Sequence, residues 1–376
     1  MTRIAALFVL LILAAAPARA EEAAPRPLSA VLAEAMDGKA VPAMGILVIR
    51  DGKVVDQAVR GLRRIGEPAP VGLADRWNIG SDAKALTATL VARLVERGKL
   101  RWDTPLSQML PDLAADMRVE YRDVTLLELL SHRAGLPENT GDMAFFNTFY
   151  NDTRPLPAQR FAYVKRTLTE APVGPARGES SYSNTGLIIA GVIAERVMGK
   201  PFEQLMQEEV FRPLGMTSAD YSQAPGVGEP FGHLDGRVST TAEANPQIIT
   251  PAGGLRLSLA DWGRFAVDQL EGEQGRGKLL RAETYKLLHT PQGDTIYALG
   301  WGAPPAIAGR QGPVLTHGGS DGNWFAFICL FPDSGNGVLV VANAAGNMGG
   351  DAAARAAFLA VIASLAPPVA AAPAAP

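Results

Sequence analysis

The sequence predicts an α+β fold in which an antiparallel sheet is built from both ends of the chain. Strand patterns occur early, helical patterns with Pro and Gly fill the middle, and strand patterns return in the last third. Strands and helices do not alternate along the whole chain, so a doubly wound parallel sheet is not expected. We expect the terminal helices to cover the sheet and a mainly helical insertion to pack beside it.

The first hundred residues contain the patterns of a short helix, a hairpin and a long helix. Residues 28–37 have the apolar spacing of a helix. The apolar runs on either side of Asp51 and Gly52 predict two strands joined by a tight turn. From Ser81 onward, apolar residues recur at helical spacing as far as Gly98, a residue type that favours a helix end.

The last third of the chain consists of short runs rich in β-branched and aromatic residues. Gly, Pro, Asp and Asn bound these runs, which is typical of strands joined by turns. The alanine-rich residues 351–366 predict a closing helix. The predicted strands are YALGWG (297–302), PVLTHGG (313–319), NWFAFICLF (323–331) and NGVLVVANA (336–344).

The chain begins with the pattern of a secretory signal peptide at residues 1–20. Arg3 precedes about a dozen apolar residues, too few to span a bilayer comfortably, and the segment ends in a small-x-small cleavage motif. We expect cleavage after Ala20 and a periplasmic or secreted protein with no stable membrane anchor; an uncleaved anchor is the alternative. The Pro- and Ala-rich residues 366–376 predict a disordered tail.

Residues 21–365 are expected to form one catalytic domain, because a chain of this length can bury a single large core. Its α/β part is expected at about residues 28–100 and 250–365, and its helical part at about residues 101–249. A nucleophile near residue 81 would lie on the seam between these parts, a common place for a ligand cleft.

The composition argues against nucleic-acid binding and gives no sign of a metal or cofactor. The net charge is −3, only 19% of residues are charged, and there is no long basic run. The histidines, His132, His233, His289 and His317, are scattered without an H-E-x-x-H motif, and no nucleotide-binding glycine fingerprint follows a predicted strand. The only cysteine, Cys329, lies in an apolar run and is expected to be inert.

The first candidate for chemistry is the S-x-x-K sequence formed by Ser81 and Lys84. Positions i and i+3 share one face of a helix, so the lysine amine can reach the serine hydroxyl. A serine hydroxyl needs a base, and a lysine can be that base when burial or a nearby positive charge lowers its pKa. The alternative is that Ser81 only caps the helix.

The second candidate is Tyr182-Ser183-Asn184, in a predicted loop before a helix that begins near Thr185. A tyrosine hydroxyl can relay protons when neighbouring cations depress its pKa. Asn184 offers an amide donor and acceptor for orienting a substrate. The alternative is a helix start in which Ser and Asn only cap and Tyr182 packs its ring.

The third candidate is His317-Gly318-Gly319, between two predicted strands. Adjacent glycines let a substrate approach the backbone, whose amides can bind an oxyanion, and His317 can donate a hydrogen bond or move a proton. The alternative is a glycine-rich bulge with a solvent-facing histidine. An overlapping G-x-S-x-G matches a nucleophile elbow, but no histidine follows Ser320 and a strand is predicted after it, so we reject that assignment.

Taken in this order, the three motifs resemble those of the serine β-lactamase and penicillin-binding-protein superfamily, whose first element is S-x-x-K. The resemblance is closest to the class C-like branch, which holds D-alanyl-D-alanine carboxypeptidases, D-aminopeptidases and family VIII carboxylesterases. Its second element is Y-x-N, and its third is K-T-G, H-T-G, H-G-G or similar. The resemblance includes the stretch VTLLELLSHRAGLP and extends from about residue 28 to residue 365.

The resemblance implies a β-lactamase/transpeptidase-like fold and a chemical role for the first two motifs. Ser81 would be the acylated nucleophile, and Lys84 would be its base or the partner of its base. Tyr182 would help to take the serine proton and would later activate the deacylating water.

The resemblance also implies how a substrate would be held. Asn184 would bind a carbonyl group of the substrate, and His317 with the two glycines after it would line the strand edge where the substrate docks. The backbone amides of Ser81 and Ser320 would form the oxyanion hole.

These roles imply a serine hydrolase that cleaves an ester or amide bond in a small molecule or peptide, without a cofactor or metal. β-Lactamases of this branch usually carry lysine where this chain has His317, a weaker and pH-dependent cation. We therefore expect an esterase or D-amino-acid peptidase, with a class C-type β-lactamase as the alternative. A non-enzymatic penicillin- or wall-peptide-binding sensor is the alternative of another class.

Overall fold

The computed structural model describes residues 26–172, 177–223, 225–226 and 228–369. Helices dominate the middle of the chain and stand at both ends of the described part, as the sequence predicts. They are α1 (Leu28–Met36), α2 (Ala83–Glu96), α3 (Leu106–Met109), α4 (Leu126–Leu130), α5 (Met143–Thr148), α6 (Leu156–Thr167), α7 (Asn184–Met198), α8 (Phe202–Met206), α9 (Arg212–Leu214), α10 (Leu259–Gly272), α11 (Ala282–His289) and α12 (Gly350–Ile362).

The strands lie near the two ends of the chain, with short pairs between them. They are β1 (Ala43–Arg50), β2 (Lys53–Gly61), β3 (Trp77–Asn78), β4 (His233–Leu234), β5 (Arg237–Val238), β6 (Arg256–Leu257), β7 (Ala306–Ile307), β8 (Arg310–Gln311), β9 (Leu315–Ser320), β10 (Phe325–Phe331) and β11 (Asn336–Ala342).

Five of these strands form one antiparallel sheet in the order β2-β1-β11-β10-β9. The early strand β1 pairs with the late strand β11, with Ile46 opposite Val340, so both chain ends build the sheet. β9 is an edge strand, and an isolated bridge from Gly302 to Thr316 covers the beginning of its outer side. The predicted α+β fold is therefore confirmed.

Helices pack on both faces of this sheet and create two apolar cores. Successive residues of β11 face opposite cores: Val340 lies in the core with residues of α1 and α12, and Val341 lies in the larger core with residues of α2 and α10. The turn before α2 packs against β9. The start of α2 is therefore fixed beside the free edge of the sheet.

The structure confirms the predicted hairpin and corrects one predicted strand. β1 and β2 meet at Asp51 and Gly52, whose φ angles of 48° and 70° fit a tight hairpin turn. Residues 297–302 do not form a strand of the sheet. The chain bends at Gly300, with φ of 75°, where a Cβ would lie 2.6 Å from the Lys84 carbonyl oxygen. This close contact with α2 overrides the strand propensity of the stretch.

The ends of the described chain bear on two further predictions. The Gln311 amide donates to the Pro367 carbonyl and the Val369 amide donates to the Gly309 carbonyl, so ordered chain extends past the predicted start of the tail at residue 366. The predicted signal peptide and the rest of the tail lie outside the described residues. Within the described part, no helix combines the length and the apolar character needed to cross a membrane.

Candidate active site

Ser81 lies in a 3-10 turn, Gly80–Asp82, between β3 and α2. The interpretation of Ser81 as a helix N-cap is wrong, because Asp82 holds the N-cap position of α2 and, in the described chain, no side chain caps the turn or the helix. The serine hydroxyl instead lies 3.0 Å from Lys84 Nζ. The S-x-x-K spacing therefore brings the two groups together on one side of the helix start.

Lys84 is fully buried, an unusual position for a lysine. Its Nζ lies 3.0 Å from Ser81 Oγ, 2.7 Å from Asn184 Oδ1 and 2.8 Å from the Ala252 carbonyl oxygen. Burial lowers the pKa of Lys84 to about 7, although two nearby carboxyl groups favour its charged form. About half of the amines are therefore neutral near pH 7.

The partners of Lys84 fix the direction in which its neutral amine reacts. A carbonyl oxygen cannot donate a hydrogen bond, so Asn184 Oδ1 and the Ala252 carbonyl each accept one N–H from Lys84. A neutral amine has two N–H groups and one lone pair. The lone pair is left facing the third partner, Ser81 Oγ, and can accept the serine proton while both other bonds persist.

Tyr182 packs beside both residues. Lys84 Nζ lies 4.8 Å from the centre of the tyrosine ring. Burial raises the pKa of Tyr182 well above its ordinary value, and the neighbouring Ser81 hydroxyl offsets only part of this change. The condition under which a tyrosine acts as a base, a pKa depressed by neighbouring cations, is therefore not met at Tyr182. The hydroxyl keeps its proton at neutral pH and is a proton donor there.

The start of α7 supplies the next polar group. Ser183 Oγ accepts a hydrogen bond from the Gly186 amide at 3.1 Å and so caps the helix. Asn184, the first residue of α7, is directed inward, with Oδ1 facing Lys84 and Nδ2 donating to Asn139 Oδ1 at 3.3 Å. In this motif, therefore, Ser183 caps the helix and its neighbour Asn184 contributes to the site.

β9 reaches the Ser81 turn through a position that only glycine can occupy. A Cβ on Gly319 would lie 2.0 Å from the Ile79 carbonyl oxygen and 2.8 Å from Ser81 N. A Cβ on Gly318 would meet nothing within 4 Å. Gly319 therefore permits the close contact, and Gly318 faces open space at the strand edge.

The backbone amides of Ser81 and Ser320 lie at this contact. Ser320 N would be 2.5 Å from a Cβ on Gly80, which places it against the Ser81 turn. Thr316 exchanges both of its backbone hydrogen bonds with Gly302 on the outer side of β9. Alternate residues of a strand direct their backbone groups to the same side, so the Ser320 amide also faces outward. Two such amides beside a nucleophile can bind an oxyanion.

His317 lies beneath this edge rather than on its surface. Its ring is 7% exposed, and its Nδ1 lies 2.9 Å from the Gly318 carbonyl, so Nδ1 carries the proton of this hydrogen bond. Burial, reinforced by Lys84, lowers the pKa of His317 to about 3. The expectation of a weak cation at this position is therefore corrected: His317 is uncharged at neutral pH.

Motif reasoning missed three contributors to this cluster. The His132 ring lies 4.6 Å from the Tyr182 ring, centre to centre, and its Nδ1 accepts a hydrogen bond from the Ser183 amide at 3.1 Å. The Ala252 carbonyl and Asn139 complete the hydrogen bonds described above. His132 lies in the stretch VTLLELLSHRAGLP, which resembles the family, but its position in that stretch does not predict a role in the site. The Ala252 contribution is a backbone carbonyl, which any residue type supplies, so the sequence gives no signal for it.

The other sequence candidates do not join this cluster. Ser320 Oγ donates to the Trp324 carbonyl at 2.8 Å and accepts from the Gly322 amide at 3.0 Å, so its hydroxyl serves the turn after β9, as the rejection of the nucleophile elbow requires. Cys329 is buried in β10, and burial raises the pKa of its thiol. In the described ranges, no three His, Cys, Asp or Glu side chains are grouped to hold a metal ion.

Known proteins share this sequence over most of its length. The family profile described as Beta-lactamase matches residues 28–362. Penicillin-binding protein 4 of Amycolatopsis lactamdurans is 31% identical over 311 residues, which cover 78% of this chain and 79% of that protein. Protein flp of Staphylococcus aureus strain N315 is 23% identical over 314 residues, which cover 81% of this chain and 60% of that protein.

Solved structures share the fold. The octameric penicillin-binding protein homologue from Pyrococcus abyssi has a TM-score of 0.72 at 24% identity, over 90% of this chain and 76% of that one. The class C beta lactamase from Rhodobacter sphaeroides has a TM-score of 0.71 at 21% identity, over 90% of this chain and 98% of that one. The family profile, the relatives and the solved structures all indicate beta-lactamases and penicillin-binding proteins. The chain belongs to the beta-lactamase family, whose members, with the penicillin-binding proteins, form one superfamily of serine hydrolases.

Proposed function

We propose that this protein hydrolyses an ester or amide bond through an acyl-enzyme on Ser81. The bonding of Lys84 carries the proposal: two carbonyl oxygens accept its N–H groups, and the third partner is Ser81 Oγ. A lysine with a pKa of about 7 suits a general base that works at neutral pH.

In the acylation half, Lys84 accepts the Ser81 proton while Oγ bonds to the substrate carbonyl carbon. The amides of Ser81 and Ser320 stabilise the negative oxygen of the tetrahedral intermediate. Tyr182 then donates its proton to the leaving oxygen or nitrogen as the scissile bond breaks, and it regains a proton from Lys84. The free alcohol or amine departs, and Lys84 is neutral again.

In the deacylation half, water replaces the leaving group. Lys84 accepts a proton from the attacking water through the Tyr182 hydroxyl, and the same two amides hold the new oxyanion. When the bond between Oγ and the acyl carbon breaks, Lys84 returns the proton to Ser81 Oγ. The carboxylic acid leaves, and the sum of both halves is hydrolysis.

We propose that the preferred substrate has no carboxylate at the β9 edge. His317 is uncharged at neutral pH, with a pKa of about 3. A substrate carboxylate bound beside it would therefore lose its hydration without gaining a positively charged partner. Substrates with a neutral group at this position, such as esters or D-amino-acid amides without a free carboxylate beside the scissile bond, are favoured on this ground. β-Lactams, which carry a carboxylate beside the reacting ring, are disfavoured.

A second candidate function is the binding of penicillin without turnover. The 31% identity to a relative named penicillin-binding protein 4 favours it. A β-lactam would then acylate Ser81, and the adduct would persist. A class C-type β-lactamase would instead release the opened β-lactam repeatedly, and a sensor would turn over none of these substrates.

Steady-state hydrolysis of a short-chain p-nitrophenyl ester tests the main proposal. We expect Ser81→Ala to lose at least about a thousandfold in turnover, because the nucleophile is gone. Ser334→Ala, a matched change in the turn between β10 and β11, should keep wild-type turnover. Full activity of Ser81→Ala would overturn the mechanism, and faster turnover of penicillins than of esters would overturn the substrate class.

We also propose that residues 1–20 direct export and are removed. Arg3, the apolar run and the cleavage motif ending at Ala20 support this. N-terminal sequencing of the protein from its producing cells should begin at Glu21. A protein that retains the first twenty residues would contradict the proposal.

A further inference from the structure

Two side chains, those of Asn78 and Asp321, link the segments that carry the Ser81 and Ser320 backbone amides. Asn78, the last residue of β3, accepts a hydrogen bond from the Gly80 amide through Oδ1 at 2.9 Å. Its Nδ2 donates to Asp321 Oδ2 at 3.0 Å. Gly80 precedes Ser81, and Asp321 follows Ser320. One buried amide side chain therefore connects the residue before one backbone amide to the residue after the other.

Asp321 is itself held in one orientation. Its Oδ1 accepts hydrogen bonds from the Asn323 amide at 2.9 Å and the Trp324 amide at 3.0 Å. These bonds close the turn between β9 and β10, and they leave Oδ2 facing Asn78. Through its hydrogen bond with Asn78, Asp321 therefore ties β3 to the turn between β9 and β10.

β6, the strand that pairs with β3, supports the same link. Asn78 pairs with Arg256 in the β3–β6 ladder, and the buried Arg256 guanidinium lies 5.7 Å from the centre of the Trp324 ring. Burial raises the pKa of Asp321 to about 6, and the backbone hydrogen bonds to its carboxylate and the nearby Arg256 offset part of this change. In the ranges that the structure describes, the bond from Asn78 to Asp321 is the one hydrogen bond that crosses between the Ser81 turn with its β3 stem and the end of β9.

We infer that Asn78 and Asp321 are positioning residues that fix the spacing of the Ser81 and Ser320 amides for oxyanion binding. Neither side chain faces the substrate; both act through the two amides. The inference rests on the proposed function and extends it, because it names the groups that hold the oxyanion site together. Backbone amides stabilise a transition state only when they are already placed for it, so a shift of the β9 end should slow the chemical step more than it weakens substrate binding.

An exchange of the two residue types tests the inference. N78D sets two carboxylates against each other, and D321N sets two amide nitrogens against each other. The double variant N78D/D321N restores the bond between the two side chains with donor and acceptor exchanged, keeps an oxygen that accepts from the Gly80 amide, and leaves the net charge unchanged. We expect each single variant to lose about tenfold or more in kcat for a p-nitrophenyl ester with little change in KM, and the double variant to recover to within about threefold of wild type.

Two further measurements separate positioning from general stability. A phenylboronic acid, which mimics the tetrahedral intermediate, should lose affinity in each single variant by about the same factor as kcat, and regain it in the double variant. Asn343→Ala is the matched control: Asn343 is a buried asparagine that accepts from the Ala43 amide at 2.7 Å and donates to the Leu62 carbonyl at 3.2 Å. It should lower Tm and leave kcat unchanged.

The outcomes distinguish this inference from the proposed function. If ester turnover requires Ser81 but the kcat of N78D/D321N is no higher than that of the slower single variant, the positioning inference is wrong and the mechanism stands. If the single variants lower Tm without changing kcat or boronate affinity, the bond is structural only. If Ser81→Ala keeps full turnover, the proposed function itself fails.

Discussion

Lys84 Nζ lies 3.0 Å from Ser81 Oγ, and both of its other hydrogen bonds are made to oxygens that can only accept. This relationship gives the neutral amine one orientation, with its lone pair toward the serine. It also makes the protonation state of one buried group decide whether the serine can be activated.

The first prediction concerns pH. Burial holds the pKa of Lys84 at about 7, so lowering the pH through 7 protonates the amine and removes the base. We expect kcat/KM for a neutral ester to rise with pH, with a midpoint near 7, and then to level off because the raised pKa of Tyr182 keeps its proton in place. Rates measured from pH 5 to 9 check this; activity that rises toward low pH would contradict it.

The second prediction concerns Asn184, whose Oδ1 accepts from Lys84 at 2.7 Å. Asn184→Asp places a negative charge beside the amine, which stabilises the charged form of Lys84 and raises its pKa. We expect the midpoint of the pH profile to move upward by about one unit or more. Asn184→Ala removes the acceptor without adding charge and should lower kcat without this upward movement. Equal profiles for the two variants would show that Asn184 does not act on Lys84.

The third prediction compares two adjacent glycines. A Cβ on Gly319 collides with the Ile79 carbonyl and Ser81 N, whereas a Cβ on Gly318 meets open space. We expect Gly319→Ala to lose about 1–3 kcal/mol of stability through overpacking, and to lose most of its activity because the Ser81 turn must move. Gly318→Ala, the matched control, should fold with a wild-type Tm. Urea unfolding of both variants measures the difference, and equal stabilities would disprove the close contact.

The fourth prediction concerns stability in acid. Burial depresses the pKa values of His132 and His317, so below pH 6.5 the unfolded chain binds protons that the folded chain excludes. Each histidine should then cost up to about 1.4 kcal/mol of unfolding free energy per pH unit as the pH falls. Urea unfolding at pH 7, 6 and 5 measures this slope. His317→Gln should make the slope shallower, and an unchanged slope would show that His317 already titrates in the folded protein.

Local sequence signals predicted the features that depend on neighbouring residues. The Asp51-Gly52 turn, the run of strands β9, β10 and β11, and the S-x-x-K spacing are each set within a few residues, so periodicity and turn chemistry suffice. The order of three motifs was enough to indicate the family. It did not reveal which hydrogen bonds the motif residues make.

The remaining features depend on packing between distant segments. The bend at Gly300 exists because α2 lies against it, and the hydrogen bond from Asn78 to Asp321 joins residues that are 243 positions apart. The pKa directions of Tyr182 and His317 also follow from burial, which no motif encodes. These differences change the chemistry inferred for the site: the tyrosine is a proton donor, and the histidine carries no charge.

The most direct test of the central claim is to trap the acyl-enzyme. Wild-type protein is mixed with a p-nitrophenyl ester, quenched in acid within milliseconds to seconds, digested and analysed by mass spectrometry. We predict an acyl mass on the peptide that contains Ser81, formed faster than product is released and missing from Ser81→Ala. Steady hydrolysis with no such adduct at any quench time, or an adduct confined to another residue, would contradict a mechanism through Ser81.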